Sequence, residues 1–135
     1  MNGRKPTKAE QAYINGATIS VGCVVCNILG YENDAPPEYL AFHHNTDKGS
    51  IEPLCHFFGV PICGVHHQGH ENAPKGEPIR HKNYAHFKNK VGSDIDLARF
   101  VWERLPLDTQ DLIGQSQNIW SFDELIERDE QNRNH

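Results

Sequence analysis

The chain has no run of about 18 consecutive apolar residues, the length a membrane-spanning helix needs, so no membrane role is expected. Its N-terminus, Met1-Asn2-Gly3-Arg4-Lys5-Pro6, is basic but leads into no apolar stretch, so no secretory signal is expected either. Apolar residues are scarce, at 37%, and aromatic ones reach only 9%. The core of such a chain is thin, and a structural metal would help to hold it. Positive charge is not in excess: the net charge is −5, which argues against a protein that coats nucleic acid with its whole surface. With no export signal, the four cysteines read as metal ligands in a reducing cytosol rather than as disulfides. A length of 135 residues fits one domain with an appendage.

Histidine is plentiful, and it is concentrated. Seven of the nine histidines and all four cysteines fall between Cys23 and His81. Cys23-Val24-Val25-Cys26 offers two thiolates on one tight turn, and Cys63-Gly64-Val65-His66 offers a second chelating pair. Two such pairs about 40 residues apart make one tetrahedral Cys₃His set, typical of a closed structural zinc. Cys55 lacks the spacing to a partner and reads as a small buried hydrophobe. Folding around that zinc brings the pair His43-His44 next to His67. A second cluster of His43, His67 and one further ligand is then expected, with positions left open for water and phosphate. An uncoordinated histidine, neutral near pH 7, suits the work of a general base beside it.

Charge is uneven along the chain. Residues 1–92 are close to neutral, whereas residues 93–135 carry four basic against ten acidic side chains. Between 72 and 92 lie Lys75, Arg80, Lys82, Lys88 and Lys90 with a single acid, Glu77. That strip reads either as a phosphate-contacting surface or as a solvated charged face.

Local signals fix a coarse order of elements. Thr7 with Glu10 forms a capping box that opens a helix over 7–20. Residues 39–44 read as a strand, in which His43 and His44 face opposite ways. The 47–50 turn looks like a hairpin or ω-type loop, and 60–63 is short and apolar. His66, His67 and His70 suggest the start of a helix with 66 and 70 on one face. A basic helix is expected over 80–91, stopped by Gly92. In the tail, an amphipathic helix runs over 94–105 to Pro106, and another starts at Ser121 with Glu124 as its capping partner. Trp102 and Trp120 are the large apolar anchors there. The tail either packs back on the preceding module or docks a protein partner, and the sequence does not choose. The fold class is therefore α+β: residues 1–92 as a zinc-stapled module, and 93–135 as an acidic helical appendage.

Taken together, Lys8-Ala9-Glu10, Gly22-Cys23-Val24-Val25-Cys26, His43-His44, Val60-Pro61-Ile62-Cys63-Gly64-Val65-His66-His67 and Ala85-His86-Phe87-Lys88-Asn89-Lys90-Val91-Gly92 resemble the HNH (ββα-metal) nuclease superfamily. Within it, they look most like the phage recombination-enhancement (Ref) nucleases, over roughly residues 8–92. The resemblance implies that His43 binds a catalytic divalent cation, Mg2+ or another, and that His44 is the general base. It implies that His67 is a metal ligand at the start of the α-element and that His81 is the late ligand, with His70 and Glu71 as rivals. The asparagine that gives the superfamily its name is not at its usual place before the second zinc cysteine, where Phe57, Phe58, Gly59 and Val60 stand. His56 is the nearest polar residue. The resemblance further implies a DNA endonuclease of phage or prophage origin, acting in the bacterial cytoplasm and directed by the RecA filament. Lys75, Arg80, Lys82, Lys88 and Lys90 would hold the DNA backbone without reading bases. The alternative is a zinc-binding module that has lost cleavage and acts by binding DNA or protein.

Overall fold

The Thr7 hydroxyl accepts from the Glu10 backbone N–H at 3.2 Å, while the Glu10 carboxylate accepts from the Thr7 N–H at 2.7 Å. This reciprocal cap starts α1 (Lys8–Val21), which runs through Gly16 and the β-branched residues that follow it. The computed structural model describes residues 6–44, 54–71 and 73–133; the expected 47–50 turn lies outside them. After α1 come α2 (Val24–Leu29), β1 (Leu40–His43), β2 (Val60–Cys63), α3 (Gly64–His67), α4 (Tyr84–Val91), α5 (Asp94–Trp102), α6 (Leu107–Gln117) and α7 (Phe122–Arg133). Among the described residues this is an α+β fold with one small sheet.

β1 and β2 pair antiparallel, with Leu40 opposite Cys63 and His43 opposite Val60. This register puts the zinc-type cysteine at one end of the ladder and the histidine pair at the other. A 3-10 turn over Cys55–Phe58 leads into β2. Its Phe57 and Phe58 are buried with Tyr13, Val24, Val25, Ile62, Leu97 and Trp102 in one core. The polar tips of the two largest aromatic residues there are satisfied. The Tyr13 hydroxyl donates to the Gly59 carbonyl at 2.7 Å, and the Trp102 indole donates to the Phe57 carbonyl at 2.8 Å.

Residues 93–135 contribute to that same core: Leu97, Ala98, Val101, Trp102, Ile113, Ile119, Phe122 and Leu125 are all buried in it. α6 lies close against α1. A Cβ on Gly16 would stand 2.6 Å from the Thr109 hydroxyl, so only glycine permits this approach. The stretch 8–29 has the length and hydropathy of a membrane span. In the fold it is two helices broken at Gly22-Cys23, with Ala9, Tyr13, Ala17, Val21, Val24 and Val25 facing the core.

Three expectations are corrected. The basic helix begins at Tyr84, after its N-cap Asn83, and not at 80. Residues 80 and 81 are engaged elsewhere: the Arg80 N–H donates to the His66 carbonyl at 2.8 Å and the His81 N–H to the His67 carbonyl at 3.0 Å. α3 is a single turn ended by Gln68 and by Gly69 at φ 93°, so His70 does not stack above His66. Trp120 is 48% exposed, lying over Gly114, and only Trp102 is a core anchor.

Candidate metal centre

Gly22, at φ 65°, turns the chain out of α1 in a conformation that favours glycine. The Asn33 side chain then holds the turn: its carbonyl accepts from the Cys23 N–H at 2.8 Å, and its amide donates to the Val21 and Cys23 carbonyls at 2.7 and 3.0 Å. Cys23 caps α2, with the Cys26 N–H directed at its sulfur at 3.5 Å. The end of β2 and the single turn of α3 bring Cys63 and His66 to the same place. One donor atom from each of Cys23, Cys26, Cys63 and His66 lies within 4.8 Å of the other three.

The spacing of this set can be tested against a metal. Zn–S bonds of about 2.3 Å and Zn–N bonds of about 2.0–2.1 Å at tetrahedral angles require S···S edges of roughly 3.8 Å and S···N edges of roughly 3.5 Å. Cys26 and Cys63 sulfurs are 3.9 Å apart, and His66 Nδ1 lies 3.6 Å from Cys26 Sγ and 3.2 Å from Cys63 Sγ. The Cys₃His set is compatible with zinc. Beyond it, His66 Nε2 lies 2.8 Å from Glu77 Oε1, and the Tyr31 hydroxyl donates to Glu77 Oε2 at 3.0 Å. Tyr31 also stacks on the His66 ring. With Nδ1 toward the thiolates, Nε2 carries the proton and Glu77 accepts it, an arrangement that orients a histidine ligand. Sequence reading missed Glu77 and Tyr31; the lone acid in a basic strip was the available signal.

The second cluster comprises His43, His67 and His81, again with one donor atom from each within 4.8 Å of the others. His43 ends β1, His67 ends α3, and His81 is brought alongside His67 by the main-chain bond just described. His67 and His81 approach to 3.0 Å between their Nε2 atoms. Two metal–nitrogen bonds of about 2.1 Å at a right angle span roughly that distance. Burial, followed by neighbouring His43, His81 and Arg80, lowers the His67 pKa to about 4. Burial, His43 and Arg80 lower His81 as well. Both rings are therefore neutral at pH 7, the state a metal ligand needs. His43 is 5% exposed, His67 half-buried and His81 exposed, so the cluster opens to solvent on one side.

His44 stands outside both sets. Its pKa is lowered by burial first, then by His56 and His43. Its Nε2 is buried without a hydrogen-bond partner, as is Nδ1 of His56, and the two rings are 5.3 Å apart. His70 and Glu71 are exposed and belong to neither cluster, and Cys55 is buried apart from both.

Among the basic residues, Lys75, Lys82, Lys88 and Lys90 are exposed. Arg80 is not a surface residue: it is 7% exposed, stacked on Tyr84, and paired with Asp94 through Nε at 3.0 Å and Nη2 at 2.9 Å. Its fork is committed inside the fold, which removes it from the proposed DNA contacts. Asp94 also lies 3.4 Å from His43 Nε2. Burial would raise its carboxyl, but His43 and Arg80 outweigh burial and hold it well below the usual carboxylate range.

No protein-family model matches the chain, and no curated protein is significantly similar to it.

Proposed function

We propose that the protein is a metal-dependent DNA endonuclease of the HNH (ββα-metal) kind. The observation that carries this reading is the convergence of His43, His67 and His81 beside a separate Cys₃His set, with His44 left outside both. An antiparallel strand pair followed directly by a short helix, with His67 next to the zinc-type His66, supports it. His43, His67 and His81 would hold a divalent cation, and their all-imidazole donor set suits a transition metal better than the oxygen-seeking Mg2+. Cys23, Cys26, Cys63 and His66 would hold a structural zinc. When bound, the catalytic cation supplies charge stabilisation for the phosphate and the departing 3′ oxygen.

The chain's own residues do the rest. His44, neutral at pH 7, takes the proton of the attacking water. With Nε2 buried, its Nδ1 is the nitrogen left for that task. Lys82, Lys88 and Lys90, with Lys75, neutralise backbone phosphates, so affinity falls with salt and is indifferent to sequence. The Ref-like resemblance adds targeting by the RecA filament and a phage or prophage setting in the bacterial cytoplasm.

The test is nicking of supercoiled plasmid in Mg2+ or Mn2+ by the wild type and by His44→Ala, with and without a RecA filament. A drop of about 10²–10⁴-fold in His44→Ala, with zinc content unchanged, is the expected outcome. Cleavage indifferent to the filament removes the RecA proposal. Absence of cleavage under every condition, with zinc tightly bound, replaces the nuclease reading with that of a zinc-stapled binding module.

A further inference from the structure

Asp94 is 2% exposed, and its surroundings are unusual for a carboxylate serving only a structural ion pair. It is the first residue of α5, in the C-terminal segment, yet it reaches the end of β1. Its two oxygens face the Nε and Nη2 groups of Arg80, and its backbone N–H donates to the Tyr84 hydroxyl at 3.0 Å. Tyr84 in turn carries the Arg80 guanidinium 3.5 Å above its ring. The carboxylate is thus fixed in position and direction before His43 is considered. Arg80 and Asp94 already balance each other in charge, so the third group at the site need not be a cation. A neutral imidazole pointing an N–H at Oδ1 fits it.

His43 presents that nitrogen. Its Nε2 lies 3.4 Å from Asp94 Oδ1, is fully buried, and has no well-aligned hydrogen bond to any other group. An open metal site needs donors that solvent can reach, and a nitrogen enclosed against a carboxylate is not one. We infer that Asp94, clamped by Arg80 and Tyr84, is a positioning residue that keeps His43 protonated on Nε2 and so presents Nδ1 to a divalent cation shared with His67 and His81. The inference rests on reading those three histidines as a metal site. It makes the acidic C-terminal segment part of the site: the appendage supplies the outer partner of a ligand that the strand supplies. Outer partners of this kind are worth about 10–100-fold in metal affinity.

The experiment uses the full chain with zinc in its Cys₃His site, titrated with Mn2+ and followed by the electron paramagnetic resonance signal of the free ion. Wild type is expected to bind one Mn2+, and Asp94→Asn to bind it about 10–100-fold more weakly while retaining its zinc. Because Asp94→Asn strands a buried arginine, the Arg80→Gln/Asp94→Asn pair is measured beside it as a variant without buried charge, and the same weakening is expected. Long-range proton–nitrogen spectra of the zinc-loaded wild type supply a readout that packing alone would not set: His43 is expected as the Nε2–H tautomer. Equal Mn2+ affinity in the paired variant, or an Nδ1–H tautomer, overturns the role of Asp94 and leaves the nuclease reading standing. A wild type that binds no Mn2+ overturns both.

Discussion

Zinc binding and folding should be a single linked equilibrium in this chain, and the size of the linkage follows from the geometry. The four donors come from two segments: the turn between α1 and α2, and the β2–α3 junction. Both are walls of the same core, so a zinc held there would tie the core together only once it has formed. For a ligand that binds only the folded state, free zinc at about 1,000 times its Kd adds roughly 4.1 kcal/mol. Unfolding entropy of about 2.1 cal/mol/K per residue makes each degree worth about 0.28 kcal/mol over 135 residues. The expected rise in Tm is then about 14 °C, or about 5 °C for each tenfold change in buffered free zinc. Scanning calorimetry across three decades of zinc checks it.

Protonation gives the same equilibrium a second signature. In the metal-free fold the Cys63 thiol is pulled down to about 3 by its hydrogen bond from Cys23, then by His66, and is ionised at pH 7. Burial, with the Cys63 charge, raises Cys26 to about 11. Cys23 is raised further, first by its hydrogen bond to Cys63 and then by burial. Two thiols must therefore lose protons on binding, and His66, raised by Cys63 and Glu77 against the effect of burial, loses part of a third. Between two and three protons leave per zinc at pH 7, so apparent affinity rises by about 100-fold or more per pH unit. Calorimetric titrations in buffers of different ionisation enthalpy count them. A Tm indifferent to zinc, or release of one proton or none, would refute the closed Cys₃His site.

Glu77→Gln keeps the shape of the partner of His66 but removes its charge, and zinc retention against a chromogenic chelator is expected to weaken by about 10–100-fold; an unchanged release curve would sink that role. Gly16→Val forces a side chain into Thr109 and is expected to cost about 1–3 kcal/mol, with Thr109→Ala recovering part of it. A Tm at or above wild type for the single variant would show that α1 and α6 do not meet as described.

What could be read from the sequence was whatever lies within one turn of chain. Thr7 and Glu10 announce α1 because a capping box is a local device. The pairs Cys23/Cys26 and Cys63/His66 announce the cluster because chelation from a single turn fixes their spacing. α6 gave no such sign: it buries only Thr109, Ile113 and Gly114, so it has no apolar stripe, and Pro106 read as the end of one helix without also reading as the start of the next. Arg80 was misread for a related reason. Its partner lies 14 residues away across a helix, and at the sequence level a buried guanidinium and an exposed one are the same letter. Asp94 was hidden by plausibility, since an acid in the first turn of a helix has a sufficient reason to be there in the helix dipole.

The acid limb of cleavage provides a test of how the proposed base is tuned. A base acts when deprotonated, so activity should be lost as pH falls through its pKa. Burial is the first cause that lowers His44, and the charges His56 and His43 would carry are the next two. At saturating metal a bound cation would keep His43, His67 and His81 deprotonated by coordination, which leaves the uncoordinated His44 to set the acid limb. The acid limb of kcat is therefore expected to fall below 6.5, leaving the rate flat toward neutrality. His56→Asn removes the second cause and leaves the first, so the limb should move up toward 6.5 without passing it. A wild-type limb at or above 6.5, or one that His56→Asn leaves in place, would mean that a group other than His44 takes the proton.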